Sequence, residues 1–222
     1  MGSDTLVVNA ARVSFSKEAE NYTEEQNAKL VAYLARHQHF TPFTHPQLVV
    51  RERVPIFVAR QRFKHTVGFT YNEISRRYVD DAPEFFVPDV WRSKPEGSMK
   101  QGSGSEVIEY LHYKEFESTF GEGTKLIDAK IDIKKAYNLF IDHAQQLYNL
   151  MLENGVAPEQ ARMVLPQSMY TEYYVTGSLA AWARAYKLRI DAHAQKEIQD
   201  LAVEWDKIIR PLFPVSWSAL VD

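Results

Sequence analysis

The chain has 222 residues, of which 45% are hydrophobic and 13% aromatic, enough to bury a full core in one domain or two closely packed lobes. Its 26 lysines and arginines against 29 aspartates and glutamates give a formal net charge of -3, which argues against binding to a nucleic acid polymer. It has no cysteine, which excludes disulfides, thiolate metal sites and every mechanism that needs a thiolate nucleophile.

The first part of the chain predicts a helix, a strand and a second helix. Residues 23–39 predict a helix, because Thr23 and Gln26 form a capping box ahead of an apolar stripe. Residues 47–54 alternate β-branched and charged side chains, which is typical of a strand. Pro55 stands where a proline favours the first turn of a helix, so a short helix is expected to follow.

The middle of the chain is rich in polar residues and prolines. Residues 67–80 hold the densest polar motif and are expected to begin as a loop around Gly68. Residues 82–104 predict a long connection, which inside a compact domain is either disordered or part of a site. Residues 106–120 predict a helix that the following Gly-Glu-Gly run ends.

The last part of the chain predicts helices around one further strand. Residues 132–153 show apolar side chains on one face at helical spacing, and residues 158–164 predict a short helix after a proline. Residues 169–176 alternate like a strand, and Ser178 is placed to cap the helix that follows. Residues 192–209 predict a final amphipathic helix.

Together these elements predict a mixed α/β chain of the α+β class. We expect a single compact domain over residues 1–222, with a small sheet packed by helices and no internal repeat. No apolar run is long enough to cross a bilayer, and no basic-then-apolar signal peptide opens the chain. A cytoplasmic protein with no membrane contact is therefore expected.

Cations, a hydroxyl, an amide and a carboxylate crowd around a glycine turn in residues 61–78. Arginine offers a planar fork for phosphate and serine adds a hydroxyl donor, so the stretch suits an anionic ligand. A salt-bridged surface turn explains the same composition, since runs of charge are usually solvated.

Two further arginines stand in places where a cation needs a partner. Arg162 lies beside an apolar run, where pairing with Glu159 or Glu172 competes with ligand binding. Arg189 and His193 share a face if the helix is continuous there, and a cation beside an imidazole suits an external anion. Helix capping by Arg189 next to a hydrogen-bonded histidine explains the same spacing equally well.

Three nearby histidines raise the possibility of a metal site. They are His37, His39 and His45, and a metal-dependent phosphohydrolase is one hypothesis that they support. Their spacing matches no metal-binding motif and no carboxylate lies among them, so we predict no metal.

Taken in order, six stretches of the chain resemble the flavin-dependent thymidylate synthases. They are residues 10–15, residues 41–45, residues 55–61, residues 71–78, residues 161–166 and residues 188–195. The stretches run nearly end to end, which makes their common order more specific than any one of them. The resemblance implies an enzyme that converts dUMP to dTMP, with FAD as cofactor and methylenetetrahydrofolate and NADPH as co-substrates.

The resemblance also implies the residues of the nucleotide site. The side chains expected to bind dUMP are Gln61, Lys64, Glu73, Ile74, Ser75, Arg76, Arg77, Arg162 and Arg189. Among them Ser75, Arg77 and Arg162 would hold the phosphate. Arg189 would be catalytic, because a guanidinium on the uracil edge stabilises the anion formed when N3 loses its proton.

The flavin site follows from the same resemblance. The side chains expected to bind FAD are His39, Thr41, Lys64, His65, Thr66, Asn72, Glu73, Ser178, Arg184 and His193. Family members are homotetramers whose flavin sites are shared between subunits, so a homotetramer is expected. The alternative is a nucleotide-binding module on the same fold without flavin chemistry.

That alternative is prompted by departures from the family pattern. The signature usually opens Arg-His-Arg, whereas this chain has Lys64 and Thr66 around His65, and one extra residue precedes Asn72. Thr44 stands where a glutamate is common. Ala180 and Arg184 replace a usual arginine and asparagine, and Arg184, one helical turn away, is placed to restore the lost charge. The start is also short, so we expect either a compact variant or a trimmed front.

Overall fold

The computed structural model describes residues 2–79, 81–97, 102–119 and 123–222. The chain forms two compact units, one made of Met1–Ile74 with Thr171–Asp222 and the other of Ser75–Tyr170. Helices and strands are mixed along the chain, so the predicted α+β class is confirmed. The expectation that residues 1–222 form one domain stays a prediction.

The elements follow one another along both units. In chain order they are α1 (Asp4–Arg12), α2 (Glu24–Arg36), β1 (Gln47–Pro55), α3 (Ile56–Arg62), β2 (Phe69–Glu73), β3 (Tyr110–Thr119), β4 (Gly123–Asp132), α4 (Ile133–Glu153), α5 (Pro158–Ala161), β5 (Tyr170–Ser178), α6 (Leu179–Arg189), α7 (Lys196–Ile209) and α8 (Pro214–Val221). Short 3-10 turns lie between several of them. None of the helices in the described ranges is long and apolar enough to cross a membrane.

A small sheet lies at the centre of the first unit. Its strand order is β1-β5-β2, and β2 runs antiparallel to β5, with Phe69 opposite Gly177 and Glu73 opposite Tyr173. Tyr173 and Val175 are buried, as the alternation along residues 169–176 predicts. Pairing with β5 continues to the last residue of β2, the polar Glu73.

Aromatic rings fill the core beside this sheet. Trp182 on α6, Trp205 on α7 and Trp217 on α8 are almost wholly buried, and the first two pack edge to face at 5.5 Å. Ala181, Ala183 and Ala185 of α6 are buried as well, which lets the other helices approach it closely. Large buried rings dominate the stability of such a core.

Local sequence signals set where several helices begin. Thr23 and Gln26 form both bonds of the predicted capping box at the start of α2. Asp132 accepts from the backbone of Lys135 to begin α4, and Ser178 caps α6 as predicted. These starts were predictable because each depends only on neighbours in the chain.

The predicted helix over residues 106–120 is wrong. The described part of that stretch contains β3, which pairs in register with β4 from Tyr110 opposite Asp132 to Thr119 opposite Gly123. Apolar residues in this stretch fit helical spacing as well as alternation, so the periodicity did not decide between them. The pairing of β3 with β4 makes this stretch a strand, and β4 follows the Gly-Glu-Gly run predicted to end the helix. Part of that run lies outside the described residues.

The other predicted helices and strands differ less from those in the structure. β2 lies in the stretch expected to begin as a loop, and the loop covers only the residues around Gly68. The last predicted helix begins at Lys196 and not at residue 192, and α1 and α8 had no counterpart in the sequence prediction. The described residues of the stretch 82–104 contain neither a helix nor a paired strand of more than one residue, as expected.

Candidate functional site

Arg189 is the last residue of α6, and its half-buried guanidinium lies next to the end of α3. Its Nε donates to Nε2 of His65 at 2.8 Å, and an Nη donates to the backbone oxygen of Gln61 at 3.4 Å. Within the described residues no carboxylate forms an ion pair with it. Burial lowers the pKa of Arg189, and the nearby Arg62 cation lowers it further. A guanidinium in this state is suited to an external anion.

His65 holds Arg189 without neutralising it. Burial first, and then the positive charges of Arg189, Arg62 and Arg184, lower the pKa of His65 to about 4. The imidazole is therefore neutral at pH 7. Since Nε2 accepts from Arg189, the ring proton is on Nδ1. The pair keeps its full positive charge while the histidine fixes the direction of the guanidinium.

The turn between α3 and β2 places His65. Gly68 has φ +78°, and a Cβ there would lie 2.9 Å from the Cβ of Ala181, so both conformation and space require glycine. Tyr71 on β2 donates its hydroxyl to the backbone oxygen of His65 at 2.7 Å. Arg184 donates to the backbone oxygen of Val67 and so joins the turn to α6.

Gln61 completes this side of the site. Its side-chain amide donates to Gln195, just before α7, and Gln195 in turn donates to Glu197 at 2.9 Å. The structure therefore brings Gln61, His65 and Arg189 together, although they are up to 128 residues apart in the chain. These three are among the residues expected from the sequence.

A buried ion pair that was not predicted lies behind this group. Arg62 is fully buried and Glu52 is 3% exposed, and Nε of Arg62 lies 3.2 Å from each oxygen of Glu52. Tyr173 donates its hydroxyl to Glu52 at 2.6 Å, and Arg62 donates an Nη to the hydroxyl of Tyr71 at 2.6 Å. Burial outweighs the neighbouring cation and raises the pKa of Glu52.

A signal for this pair is present in the sequence. Glu52 falls on the same side of the predicted strand as Leu48 and Val54, where alternation predicts apolar residues. A lone carboxylate on the buried face of a strand needs a buried cation as its partner. The pattern thus indicates an internal ion pair, although it does not name Arg62.

Comparison with known proteins agrees with the family that the sequence resembles. Residues 1–215 match the family model described as thymidylate synthase complementing protein. The flavin-dependent thymidylate synthase of Thermotoga neapolitana is 36% identical over 221 residues, covering 100% of this chain and 87% of the relative. A corresponding protein of Thermus thermophilus is 34% identical over 219 residues, covering 99% and 72%.

The chain belongs to the flavin-dependent thymidylate synthase family. It is similar to a crystal structure of the UMP/dUMP methylase PolB from Streptomyces cacaoi bound with 5-Br dUMP. The TM-score is 0.77 and the identity 29%, with 98% of this chain and 90% of that chain covered. The resemblance predicted from sequence is confirmed, and the chain is an enzyme, a methyltransferase of a flavin-dependent family.

The end of β2 presents three of the residues that the thymidylate synthase resemblance implies. Asn72, Glu73 and Ile74 are exposed. The carboxylate of Glu73 accepts from the hydroxyl of Thr171 at 2.6 Å, and the backbone of Ile74 donates to Glu172 at 2.9 Å. Within the described residues the amide of Asn72 has no hydrogen-bond partner. The strand therefore holds their backbones firmly while their side chains remain accessible.

The departures from the family pattern meet around the turn of Gly68. Lys64 and Thr66 are exposed, and in the described part of the chain neither side chain has a polar partner. Arg184 is bonded to this turn through Val67. Lys64 and Thr66 thus belong to the loop that Arg184 contacts, and the restoration by Arg184 of the charge missing at position 180 stays a prediction.

The remaining residues expected to contact the flavin occupy varied positions. His39 and Thr41 are exposed in the segment before β1, and the hydroxyl of Thr44 is bonded to the backbone of Thr41 at 2.6 Å. Ser178 is buried, and its hydroxyl accepts from Ala181 at 3.3 Å as the cap of α6. A buried cap of this kind has less freedom to bind a ligand.

His193 does not share a helical face with Arg189. α6 ends at Arg189, and the carboxylate of Asp191 accepts from both the backbone and Nδ1 of His193, at 2.8 and 3.0 Å. These two bonds lower the pKa of Asp191. A local bond of this type competes with helix, so the condition of a continuous helix is not met.

The other arginines expected at the nucleotide lie in the second unit. The hydroxyl of Ser75 accepts from Nε of Arg77 at 3.1 Å, and Arg76 donates to the backbone of Asp81. Arg162 is exposed, and its Nε donates to the backbone oxygen of Glu159 at 3.3 Å. Glu172 pairs with Arg51 in the first unit. Neither predicted carboxylate is thus an ion-pair partner of Arg162 in the described chain.

The predicted absence of a metal concerns the histidines and the acidic residues, which are the side chains able to bind one. Across residues 2–79, 81–97, 102–119 and 123–222, no group of three or more is arranged to hold a metal ion. His37 and His39 instead pack with Tyr33, at ring distances of 4.3 and 6.1 Å.

Proposed function

We propose that this enzyme catalyses the reductive methylation of dUMP to dTMP, with FAD as its cofactor. Methylenetetrahydrofolate is the carbon donor and NADPH the reductant. The proposal deepens the family assignment, and it draws on the relatives named as flavin-dependent thymidylate synthases and on the methylase whose structure holds 5-Br dUMP.

The observation that carries the proposal is the state of Arg189. Its guanidinium is partly buried, directed by a neutral histidine and free of any described carboxylate. A uracil that loses its N3 proton becomes an anion, and a fixed cation at the ring edge lowers the free energy of that anion. No cysteine exists in the chain, so ring activation cannot use a protein thiolate.

The other nucleotide contacts follow from side-chain chemistry. Gln61, Glu73 and Ile74 recognise the nucleoside, and Lys64 and Arg76 add positive charge near it. Ser75, Arg77 and Arg162 bind the phosphate through a hydroxyl and two planar forks. The role of Arg189 and the role of these three phosphate-binding residues are separate proposals, and each is tested by its own variants.

The residues expected at the flavin have the chemistry that a dinucleotide requires. Lys64, Thr66 and Arg184 surround the Gly68 turn and suit a pyrophosphate, and the donors of Lys64 and Thr66 have no partner within the described chain. The other side chains proposed to contact FAD are His39, Thr41, His65, Asn72, Glu73, Ser178 and His193. FAD, when bound, supplies the redox equivalents that convert the transferred carbon to a methyl group.

A homotetramer in the cytoplasm is part of the same proposal. Exposed apolar side chains on α4 support association with further copies of the chain, because Leu139, Phe140, Leu147 and Leu150 are 44–56% exposed. Light scattering of the purified protein should give four times the mass of one chain. A monomeric mass at micromolar concentration would contradict this part.

Release of tritium from C5 of [5-³H]dUMP tests the reaction itself. We expect release only when FAD, NADPH and methylenetetrahydrofolate are all present, together with formation of dTMP. A colourless protein that does not take up FAD, or one that binds FAD and releases no tritium, would contradict the proposal. Treatment with a chelator should leave the rate unchanged, whereas a metal-dependent phosphohydrolase would lose its activity.

A further inference from the structure

We propose that Glu52, Arg62 and Tyr71 are positioning residues that hold His65, and through it Arg189, in the orientation needed at the substrate. The inference rests on the proposed function for its kinetic consequence only. The arrangement of His65 and Arg189 is measurable in the protein without any substrate.

The geometry forms one directed chain of hydrogen bonds. Glu52 holds Arg62 through both carboxylate oxygens at 3.2 Å. An Nη of Arg62 donates to the hydroxyl oxygen of Tyr71 at 2.6 Å, and Tyr71 donates to the backbone oxygen of His65 at 2.7 Å. His65 then accepts from Arg189 at 2.8 Å.

The direction of these bonds is fixed by chemistry. A guanidinium only donates, so the hydroxyl oxygen of Tyr71 must accept from Arg62. Its single proton has two acceptors within reach, the backbone oxygens of His65 at 2.7 Å and of Arg62 at 3.2 Å, and the shorter bond is that to His65. Burial raises the pKa of Tyr71 to about 12, so the proton stays on the phenol at neutral pH.

Stability alone is a poor reason for such a pair. Replacing a buried ion pair by apolar side chains of similar size is often neutral or stabilising, because both charges lose their hydration. One Nη of Arg62 even lacks a hydrogen-bond partner in the described chain, and the rings of Phe69, Trp182 and Trp205 surround its guanidinium at 4.4–4.8 Å. The burial of Arg62 costs hydration free energy, and Arg62 is linked to His65 through the hydroxyl of Tyr71. We therefore infer that Arg62 has a role at the site.

The cation also acts on His65 through its charge. The charged and titratable groups around the imidazole are Arg62 on α3, Arg184 and Arg189 on α6 and, one contact further, Glu52 on β1 and Tyr71 on β2. Positive charge from α3 disfavours the imidazolium form, which would have no lone pair at Nε2 to accept from Arg189. Arg62 thus supports the bond both by position and by charge.

Two tyrosines provide a matched test, because both donate to this buried network. Tyr71→Phe removes the hydroxyl bonded to His65, whereas Tyr173→Phe removes the hydroxyl bonded only to Glu52. In Tyr71→Phe we expect the ¹⁵N signal of His65 Nε2 to move toward that of an unbonded neutral imidazole. We also expect kcat for dUMP to fall on the order of 10-fold with little change in KM. Tyr173→Phe leaves the bonds of Arg62 and Tyr71 in place and should change both much less.

An unchanged His65 signal in Tyr71→Phe, or equal changes in the two variants, would overturn the proposal. If the wild type turns over no dUMP, the proposed function fails, yet the His65 spectrum still decides this inference. The two failures are therefore distinguishable.

A second variant tests the charge. The double substitution Glu52→Gln with Arg62→Met removes the cation without leaving an unpaired carboxylate. In this variant we expect the pKa of His65, followed by ¹⁵N NMR, to rise above about 4 but to stay below 6.5, because burial and Arg189 still lower it. A folded double variant in which the pKa stays at about 4 would contradict the role of Arg62. If the double variant does not fold, the tyrosine pair remains the deciding test.

Discussion

Two arginines in the first unit, Arg62 and Arg189, differ in burial and in the partners of their guanidinium groups. Arg62 is fully buried, holds both oxygens of Glu52 and is surrounded by aromatic rings. Arg189 is only partly buried and has a neutral imidazole and a backbone oxygen as partners. The charge of Arg62 is paired with the carboxylate of Glu52 inside the protein. The charge of Arg189 is paired with no carboxylate in the described residues, so we propose that it pairs with a bound ligand. This difference is the reason that we propose a structural role for Arg62 and a ligand-binding role for Arg189.

The largest expected effect concerns the internal pair. Glu52→Gln leaves Arg62 as a buried cation without its carboxylate, which should lower the free energy of unfolding by about 3–5 kcal/mol. Urea denaturation measures this loss. The matched control is Glu172→Gln, whose partners Arg51 and Arg53 are both exposed, and there we expect about 0–1 kcal/mol. Equal losses in the two variants would remove the distinction between the two kinds of pair.

Removal of the second arginine should affect activity and not folding. Arg189→Ala should reduce tritium release on the order of 10²–10³-fold, because a charge that stabilises the transition state is lost. The flavin should remain bound, with unchanged visible absorbance. Arg189→Lys is the informative companion, since it keeps the charge and loses the planar fork. Normal turnover by the alanine variant would show that the catalytic role is wrong.

The neutral state of His65 predicts a pH dependence of stability. The folded protein binds this proton only near pH 4, whereas an ordinary histidine binds it near 6.5. The unfolded chain therefore takes up the proton first, and stability is lost as pH falls from 6.5 to 4, by up to roughly 3 kcal/mol. His65→Gln lacks this contribution, so unfolding free energies of the two proteins should converge over this window. Parallel curves would contradict a neutral His65.

A smaller effect is expected in the second unit. Arg162→Ala should weaken dUMP binding by about 1.5–3 kcal/mol, the value of a lost charge-assisted hydrogen bond. Calorimetry measures the change, and Arg36→Ala, an exposed arginine at the end of α2, is the control. Unchanged affinity in Arg162→Ala would remove this residue from the nucleotide site.

What the sequence predicted well depends on neighbours in the chain. The cap of α2 at Thr23 and the cap of α6 at Ser178 are local, so their residues suffice to place them. The prediction of a helix over residues 106–120 is wrong because the partner of β3, the strand β4, is not visible in a local pattern. The predicted start of the last helix at residue 192 is wrong for a different, local reason, because the backbone and Nδ1 of His193 donate to the carboxylate of Asp191 and this turn replaces helix.

The candidate site shows the same division. The order of the motifs alone predicts that Gln61, His65 and Arg189 belong to one site. The pairing of Glu52 with Arg62 was missed, because a buried charge can be noticed in a strand pattern while its partner requires the fold. Motif order thus indicates the groups that we propose to contact the ligand, whereas three-dimensional contacts are needed to find the residues that hold those groups in place.

The proposed mechanism depends above all on the Arg189 guanidinium stabilising the deprotonated uracil ring. This role can be measured by binding [3-¹⁵N]dUMP to the wild type and to Arg189→Ala and following the ¹⁵N NMR signal across pH. We expect the N3 pKa of the bound nucleotide to lie below that of free dUMP in the wild type and to return toward it in the variant. An N3 pKa that equals the free value in the wild type, or that ignores the loss of Arg189, would show that the guanidinium does not have this role.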